Sequence, residues 1–291
     1  MKRTLETIAR AYTVAEAPVL AFSGGTDSAV LLDIIYTRTD HRPPLLYVDD
    51  QMSDPATLPF VRETAKRYGA RLILARGDRT PLEQWKAQGW PMLGKLAARK
   101  WQQHHPEAGF RCDVSSCCRR LKILPGRQAM KAAGATLQFT GQRGQADDAL
   151  RGMRSTKDSA LYFQKTDALW ICNPLDGWTD CMVRRYVAAH GLRLHPARAK
   201  GAQTIGCLFC GGGAQFDNSG FRHLRQLYPD AWTRFMVHWK AGEIILAIKH
   251  DRPLPAIRAA VDRLGGLAAV AESMPHVFDY LRTTPLRGYA K

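Results

Sequence analysis

The sequence predicts an α/β fold, a doubly wound and mostly parallel sheet followed by a helical C-terminal region. Three features predict it. Short apolar runs recur through the first half, and each stops at a polar or glycine-rich turn. Helix-length segments separate those runs, and in the last third prolines divide helical stretches with no convincing strand. Strands spaced in this way lie parallel, because each helical crossover returns the chain to the same end of the sheet.

In chain order, residues 18–22 (Pro-Val-Leu-Ala-Phe) read as the first strand, ended by Gly24 and Gly25. The apolar run over 27–36 suits a buried helix, and 44–48 (Pro-Leu-Leu-Tyr-Val) a second strand closing on Asp49 and Asp50. A helix follows from 55–57 to about residue 68, then a third strand over 71–75. The fourth strand, 136–139, runs into Thr140-Gly141-Gln142-Arg143. Ligands of such sheets bind outside the carboxyl ends of the strands, where these turns lie. From about residue 221 the chain reads as helices divided by Pro229, Pro253, Pro255 and Pro275.

Composition narrows the function classes. Of 291 residues, 45% are hydrophobic and 23% charged, which excludes a disordered chain. No apolar run approaches the roughly 18 residues of a membrane span, and the start, Met-Lys-Arg-Thr-Leu-Glu, lacks a secretory apolar segment. The expected location is the cytoplasm, with no membrane partner. Net charge is +16, of which +11 falls within residues 91–200. That skew favours a polyanionic partner, nucleic acid above all, over a surface tuned for solubility alone.

Ser23-Gly24-Gly25-Thr26-Asp27-Ser28 connects the first strand to its helix. Two glycines let the backbone turn tightly and approach an anion, and the helix adds its N-terminal amides and positive dipole end. Ser23, Thr26 and Ser28 supply hydroxyls. A Walker loop is excluded, since no Gly-Lys-Ser/Thr follows. Asp27 suits either Mg²⁺ or helix capping; Asp49 and Asp50 suit Mg²⁺, a ribose hydroxyl or a plain turn.

Seven cysteines are present, an odd number with an adjacent pair, which fits poorly with a disulfide framework. Cys117-Cys118 and Cys207-Leu-Phe-Cys210, separated by 88 residues, are four thiols suited to zinc or to an iron–sulfur cluster. Neighbouring cysteines chelate one zinc awkwardly but can reach different irons of a cubane. Cys112 lies among Arg111, Arg119 and Arg120, which favours a thiolate and makes it the candidate sulfur carrier. Cys172 and Cys181 read as small core residues. His104, His105 and His195 read as surface or anion-contacting residues, and Trp101, Trp178 and Phe209 as base-stacking or core residues.

The hexapeptide loop resembles the PP-loop of N-type ATP pyrophosphatases and adenine-nucleotide α-hydrolases. Cys117-Cys118, Lys122, Pro125, Thr140-Gly141-Gln142-Arg143, Arg151, Asn173-Pro174, Trp178 and Ile205-Gly206-Cys207 with Cys210 then occur in order. Together, over roughly residues 15–215, they resemble the cluster-bearing branch of the phosphoadenosine-phosphosulfate-reductase superfamily. The resemblance implies a Rossmann-like nucleotide-binding domain over residues 1–215, with 216–291 as the helical region. It implies ATP and Mg²⁺ at the loop and a [4Fe–4S] cluster on Cys117, Cys118, Cys207 and Cys210. Gly141, Arg143 and Arg151 would face phosphate or sulfate, and Lys122 would lie near cluster and substrate. Asp27 and Asp49 join Lys122 and Cys112 as candidate catalytic groups.

One departure shapes the expected function. Reductases of this superfamily attack with a cysteine in a C-terminal Glu-Cys-Gly-Leu-His segment, and here no cysteine follows Cys210. The DndC-type and SspD-type sulfurtransferases keep loop and cluster but act on DNA. The expectation is therefore an ATP pyrophosphatase and sulfurtransferase of DNA phosphorothioation, with DNA favoured over RNA and a cysteine desulfurase as sulfur donor. The alternatives are a sulfonucleotide reductase using a thiol in trans, a tRNA thiolase, and a non-catalytic nucleotide-sensing scaffold on DNA.

Overall fold

A computed structural model describes residues 1–108, 113–144, 160–202, 205–212 and 220–279. In chain order its elements begin α1 (Lys2–Val14), β1 (Pro18–Ala21), α2 (Thr26–Arg38), β2 (Leu45–Asp49), α3 (Thr57–Arg67) and β3 (Leu72–Arg76). Next come α4 (Pro81–Gln88), α5 (Lys95–His104), α6 (Val114–Cys118), α7 (Leu124–Ala132), β4 (Leu137–Phe139), β5 (Leu161–Gln164), β6 (Leu169–Cys172) and α8 (Asp180–His190). Short helices make up the remainder, including Gly220–Leu227, Ala241–His250 and Leu254–Arg263.

The chain divides into two compact units. The first comprises Met1–Asp49, Pro55–Arg76 and Lys122–Ala199. It holds one six-stranded sheet in the order β3-β2-β1-β4-β6-β5, parallel throughout except for β5 against β6. The four anticipated strands are the first four, within a residue or so of their expected bounds. The β5–β6 hairpin escaped the sequence reading, because each strand is four residues long and too short to establish a period.

Side-chain alternation divides the sheet's two faces. Leu20, Leu45, Tyr47, Leu137 and Phe139 pack with α1, α2, α3 and α8 around Ile8, Leu31, Ile34, Phe60 and Val183. Val19, Leu46, Ala75, Leu169 and Ile171 pack on the other face with Met130 of α7. Helices on both faces make the sheet doubly wound. Helix α2 is buried from Ser28 to Tyr36, which explains its run of aliphatic residues in place of one apolar stripe. Its one buried acid, Asp33, accepts from the Tyr68 hydroxyl at 2.8 Å and the Tyr186 hydroxyl at 2.7 Å. Burial, then these bonds to Asp33, push both phenols above their ordinary range.

The second unit comprises Asp50–Asp54, Gly77–Leu121 and Lys200–Lys291. Its core joins Trp90, Trp101, Phe221, Trp232, Phe235, Ile245, Ile248 and Phe278. The helices expected beyond residue 221 are present, with Pro229 and Pro275 each in the first turn of a helix and Pro253 just before one.

Candidate functional site

The 23–28 loop follows β1, whose two neighbours are β2 and β4, so it lies at the point where strand order reverses. Gly24 takes φ 76°, a left-handed conformation that glycine adopts without steric cost. The hydroxyls brace the turn. Ser28 Oγ donates to Gly25 O at 2.8 Å and lies 3.3 Å from Ser23 Oγ, which accepts from Gly25 N at 3.3 Å. Thr26 and Asp27 open α2, leaving the helix's first amides at the loop.

The turn after β4 presses on that loop. A Cβ at Gly141 would stand 2.9 Å from Asp27 C and from Ser28 N, so only glycine permits the approach. Two residues on, the buried Arg143 lays its Nε 3.2 Å from Asp27 Oδ1, an ion pair without hydrogen-bond alignment. Its Nη1 donates to Trp178 O at 3.3 Å, and its Nη2 donates to Asp180. No sequence motif singles out Asp180 for the site, although Thr179-Asp180 is a helix-start signal: Thr179 caps α8 by accepting from Met182 N.

Asp49, at the end of β2, accepts from Arg76 Nε at 3.1 Å. Asp50 closes its own turn, accepting from Met52 N and Ser53 N, each at 2.8 Å. Lys122 is half-buried in a π-helical turn, Arg119–Ile123. Cys112 and Arg151 lie outside the described residues.

The four clustered cysteines all belong to the second unit. Asp113 caps α6 by accepting from Ser115 N at 2.8 Å, which sets the helix that ends in Cys117 and Cys118. The 205–212 loop is strapped down by backbone bonds from Leu208 N to Met52 O (2.9 Å) and from Gly211 N to Pro91 O (2.8 Å). Cys117 and Cys207 meet in one apolar cluster with Met52 and Leu121. A Cβ at Gly212 would stand 3.0 Å from the Val114 side chain and 3.3 Å from Cys210 Sγ. Gly212 N donates to Cys210 Sγ at 3.4 Å, and Cys207 Sγ donates to Asp50 Oδ2 at 3.2 Å. Thiols outside any disulfide on neighbouring segments, in an apolar setting with an N–H directed at sulfur, fit the donor chemistry of an iron–sulfur cluster. Among the described residues, no three His, Cys, Asp or Glu side chains converge as a metal-binding group.

Several expectations change. Cys172 is buried as expected, but Cys181 is exposed, because the second position of α8 faces away from the core. His195 is buried: Nδ1 accepts from Ala197 N at 3.1 Å, so Nε2 carries the proton toward Thr57 Oγ1, 3.1 Å away. His105 is buried too, with Nε2 2.9 Å from Asp251 Oδ1. Trp101 and Trp178 are core residues and offer no face to a base.

The phosphoadenosine phosphosulfate reductase domain matches residues 17–212. The chain belongs to this family. Among the relatives of this reductase-domain protein is the phosphoadenosine 5′-phosphosulfate reductase of Alkalilimnicola ehrlichii, 30% identical over 65% of this chain and 67% of that protein. The adenosine 5′-phosphosulfate reductase of Geobacillus kaustophilus is 26% identical over 72% of this chain and 79% of that protein. A crystal structure of phosphoadenylyl-sulfate reductase from Candida auris, a phosphate complex, superposes with a TM-score of 0.51. It covers 70% of this chain and 87% of its own at 19% identity, which is a likeness of fold.

These relatives overturn the expectation of DNA phosphorothioation, since the proteins this chain resembles are named sulfonucleotide reductases. The physical reason for the error is plain. A basic balance answers to any dense array of phosphates and sulfates, so it does not single out nucleic acid. No helix among the described residues is long and apolar enough to cross a membrane.

Proposed function

We propose that this chain is a sulfonucleotide reductase, acting on adenosine 5′-phosphosulfate (APS) or its 3′-phosphorylated form (PAPS) with a thiol supplied in trans. The observation that carries the reading is the Gly24-Gly25 loop at the strand-order reversal, on a chain whose relatives are named for those substrates. The adenylyl group at the loop then belongs to the substrate and not to ATP.

The chemistry balances with two thiols. A thiolate attacks the sulfate sulfur, the S–O bond to the α-phosphate breaks, and adenosine monophosphate (or its 3′-phosphate) leaves with that bond's electron pair. The resulting S-sulfo group is released as sulfite when a second thiolate attacks the carrier sulfur, leaving a disulfide; the two thiols supply the two electrons. Residues 211–291 hold no cysteine, and the reading has the attacking thiol added in trans. The loop's amides would bind and orient the α-phosphate, and Lys122 would add positive charge where the leaving group gathers electrons. A [4Fe–4S] cluster on Cys117, Cys118, Cys207 and Cys210 would cross-link the two cysteine segments and add its charge to the field around them.

The test is sulfite release from APS and from PAPS, in the presence of dithiothreitol or a dithiol protein. Sulfite with one of the two, stoichiometric with the nucleotide product, supports the reading. No sulfite from either, together with pyrophosphate release from ATP, would sink it.

A further inference from the structure

We propose that Arg143 is a positioning residue, which keeps the 23–28 loop able to bind an anion by neutralising Asp27, and does not itself touch the substrate. The proposal rests on the nucleotide reading above and names what makes that site workable.

An anion-binding loop with a carboxylate in its midst opposes its own ligand. Asp27 sits in the first turn of α2, among the amides that would meet a phosphate. Its charge has to be offset by something that stays when the ligand leaves. Arg143 meets that requirement, because its side chain is 2% exposed and is held between two carboxylates, Asp27 and Asp180. All three guanidinium nitrogens face protein acceptors: Nε lies against Asp27, Nη1 donates to Trp178 O and Nη2 donates to Asp180.

The backbone delivers the guanidinium to that place. Gly141 brings the turn after β4 onto the Asp27–Ser28 peptide, with no room for a Cβ. Beyond Arg143, Gly144 N donates to Asp176 O at 2.9 Å, and a Cβ there would stand 2.6 Å from Asp176 Oδ1. Both ends of the turn are thus pinned, one to the loop and one to the segment before α8. Asp180, in the first turn of α8, is itself favoured by that helix's dipole and anchors the far side of the guanidinium. A planar fork with fixed donors spans such a set of acceptors, whereas an ammonium is a single point of charge.

The test is calorimetric titration of adenosine monophosphate (AMP) and APS into the full chain and its variants. Arg143→Ala should weaken AMP and APS by the same factor, tenfold or more, since the shared α-phosphate subsite is what fails. Adding Asp27→Asn to Arg143→Ala should recover most of that loss, which a purely structural role for Arg143 would not allow. Arg143→Lys should recover little. A loss confined to APS would show direct contact with the sulfate and overturn the proposal; so would a double variant no better than Arg143→Ala. Should Arg143→Ala fail to fold, Asp180→Asn carries the same question with the guanidinium retained. AMP and APS affinities should then fall together by a factor of a few, and an unequal or absent change overturns the proposal. Wild-type protein that binds neither nucleotide is a separate outcome, which removes the nucleotide reading and this proposal with it.

Discussion

At the scale of single residues, the site depends on conformations and protonation states that can be measured one at a time. Gly24 holds φ 76°, where a Cβ-bearing residue is strained by about 1–2 kcal/mol. Gly24→Ala should lower the melting temperature modestly and weaken AMP binding at least tenfold by calorimetry, because the loop would relax away from its turn. An unchanged affinity would remove the turn from the binding site. The spare cysteines offer a second check. Burial pushes the Cys172 thiol up to about 12, while Cys181 is exposed on α8. Iodoacetamide at pH 8 should therefore modify Cys181 in native protein and spare Cys172 until the chain is unfolded, as read by peptide mass spectrometry. Early labelling of Cys172 would contradict its place in β6.

At the scale of elements, the central strands carry the stability of the first unit. Phe139 is fully buried at the end of β4, beside the turn that holds Gly141 and Arg143. Phe139→Ala should cost about 3–5 kcal/mol in a urea unfolding experiment, the range for large-to-small changes in a packed core. Since β4 delivers Arg143, AMP binding should weaken in the same variant. The helices of the second unit respond to acid instead. Burial holds the His223 and His250 rings below the ordinary imidazole value of 6.5, although Asp54 opposes the shift at His223. Folded protein then binds fewer protons than the unfolded chain as pH falls through that value. The stability these rings leave intact above about pH 6.5 is lost on acidification toward their folded values. His223→Gln should make stability less dependent on pH between 7 and 5, and an unaltered dependence would count against the buried ring as its source.

At the scale of the whole molecule, the chain passes repeatedly between its two units, so the 23–28 loop falls in one and the Cys117-Cys118 and Cys207/Cys210 pairs in the other. Anaerobically prepared protein should contain about four irons per chain if those thiols hold a cubane, and Cys117→Ser or Cys207→Ser should lose most of it. Colourless protein with one equivalent of zinc would replace the cluster with a structural zinc site. Much of this was legible from residue order alone. Strand, glycine turn and helix are set by neighbours along the chain, so the first four strands, α2 and the 23–28 loop could be read from periodicity and turn chemistry. The pairs Cys117-Cys118 and Cys207/Cys210 stand out in the sequence because thiol chemistry is carried by residue type, and the fold brings Cys117 and Cys207 into one apolar cluster. Tertiary structure alone decided what each polar side chain is for. It buried His195 against Thr57, gave Asp50 to its own turn and to Cys207, and set Arg143 between Asp27 and Asp180. Those pairings join residues far apart in the chain, and burial, which makes an unpaired charge costly, is a property of the folded whole and of no local stretch.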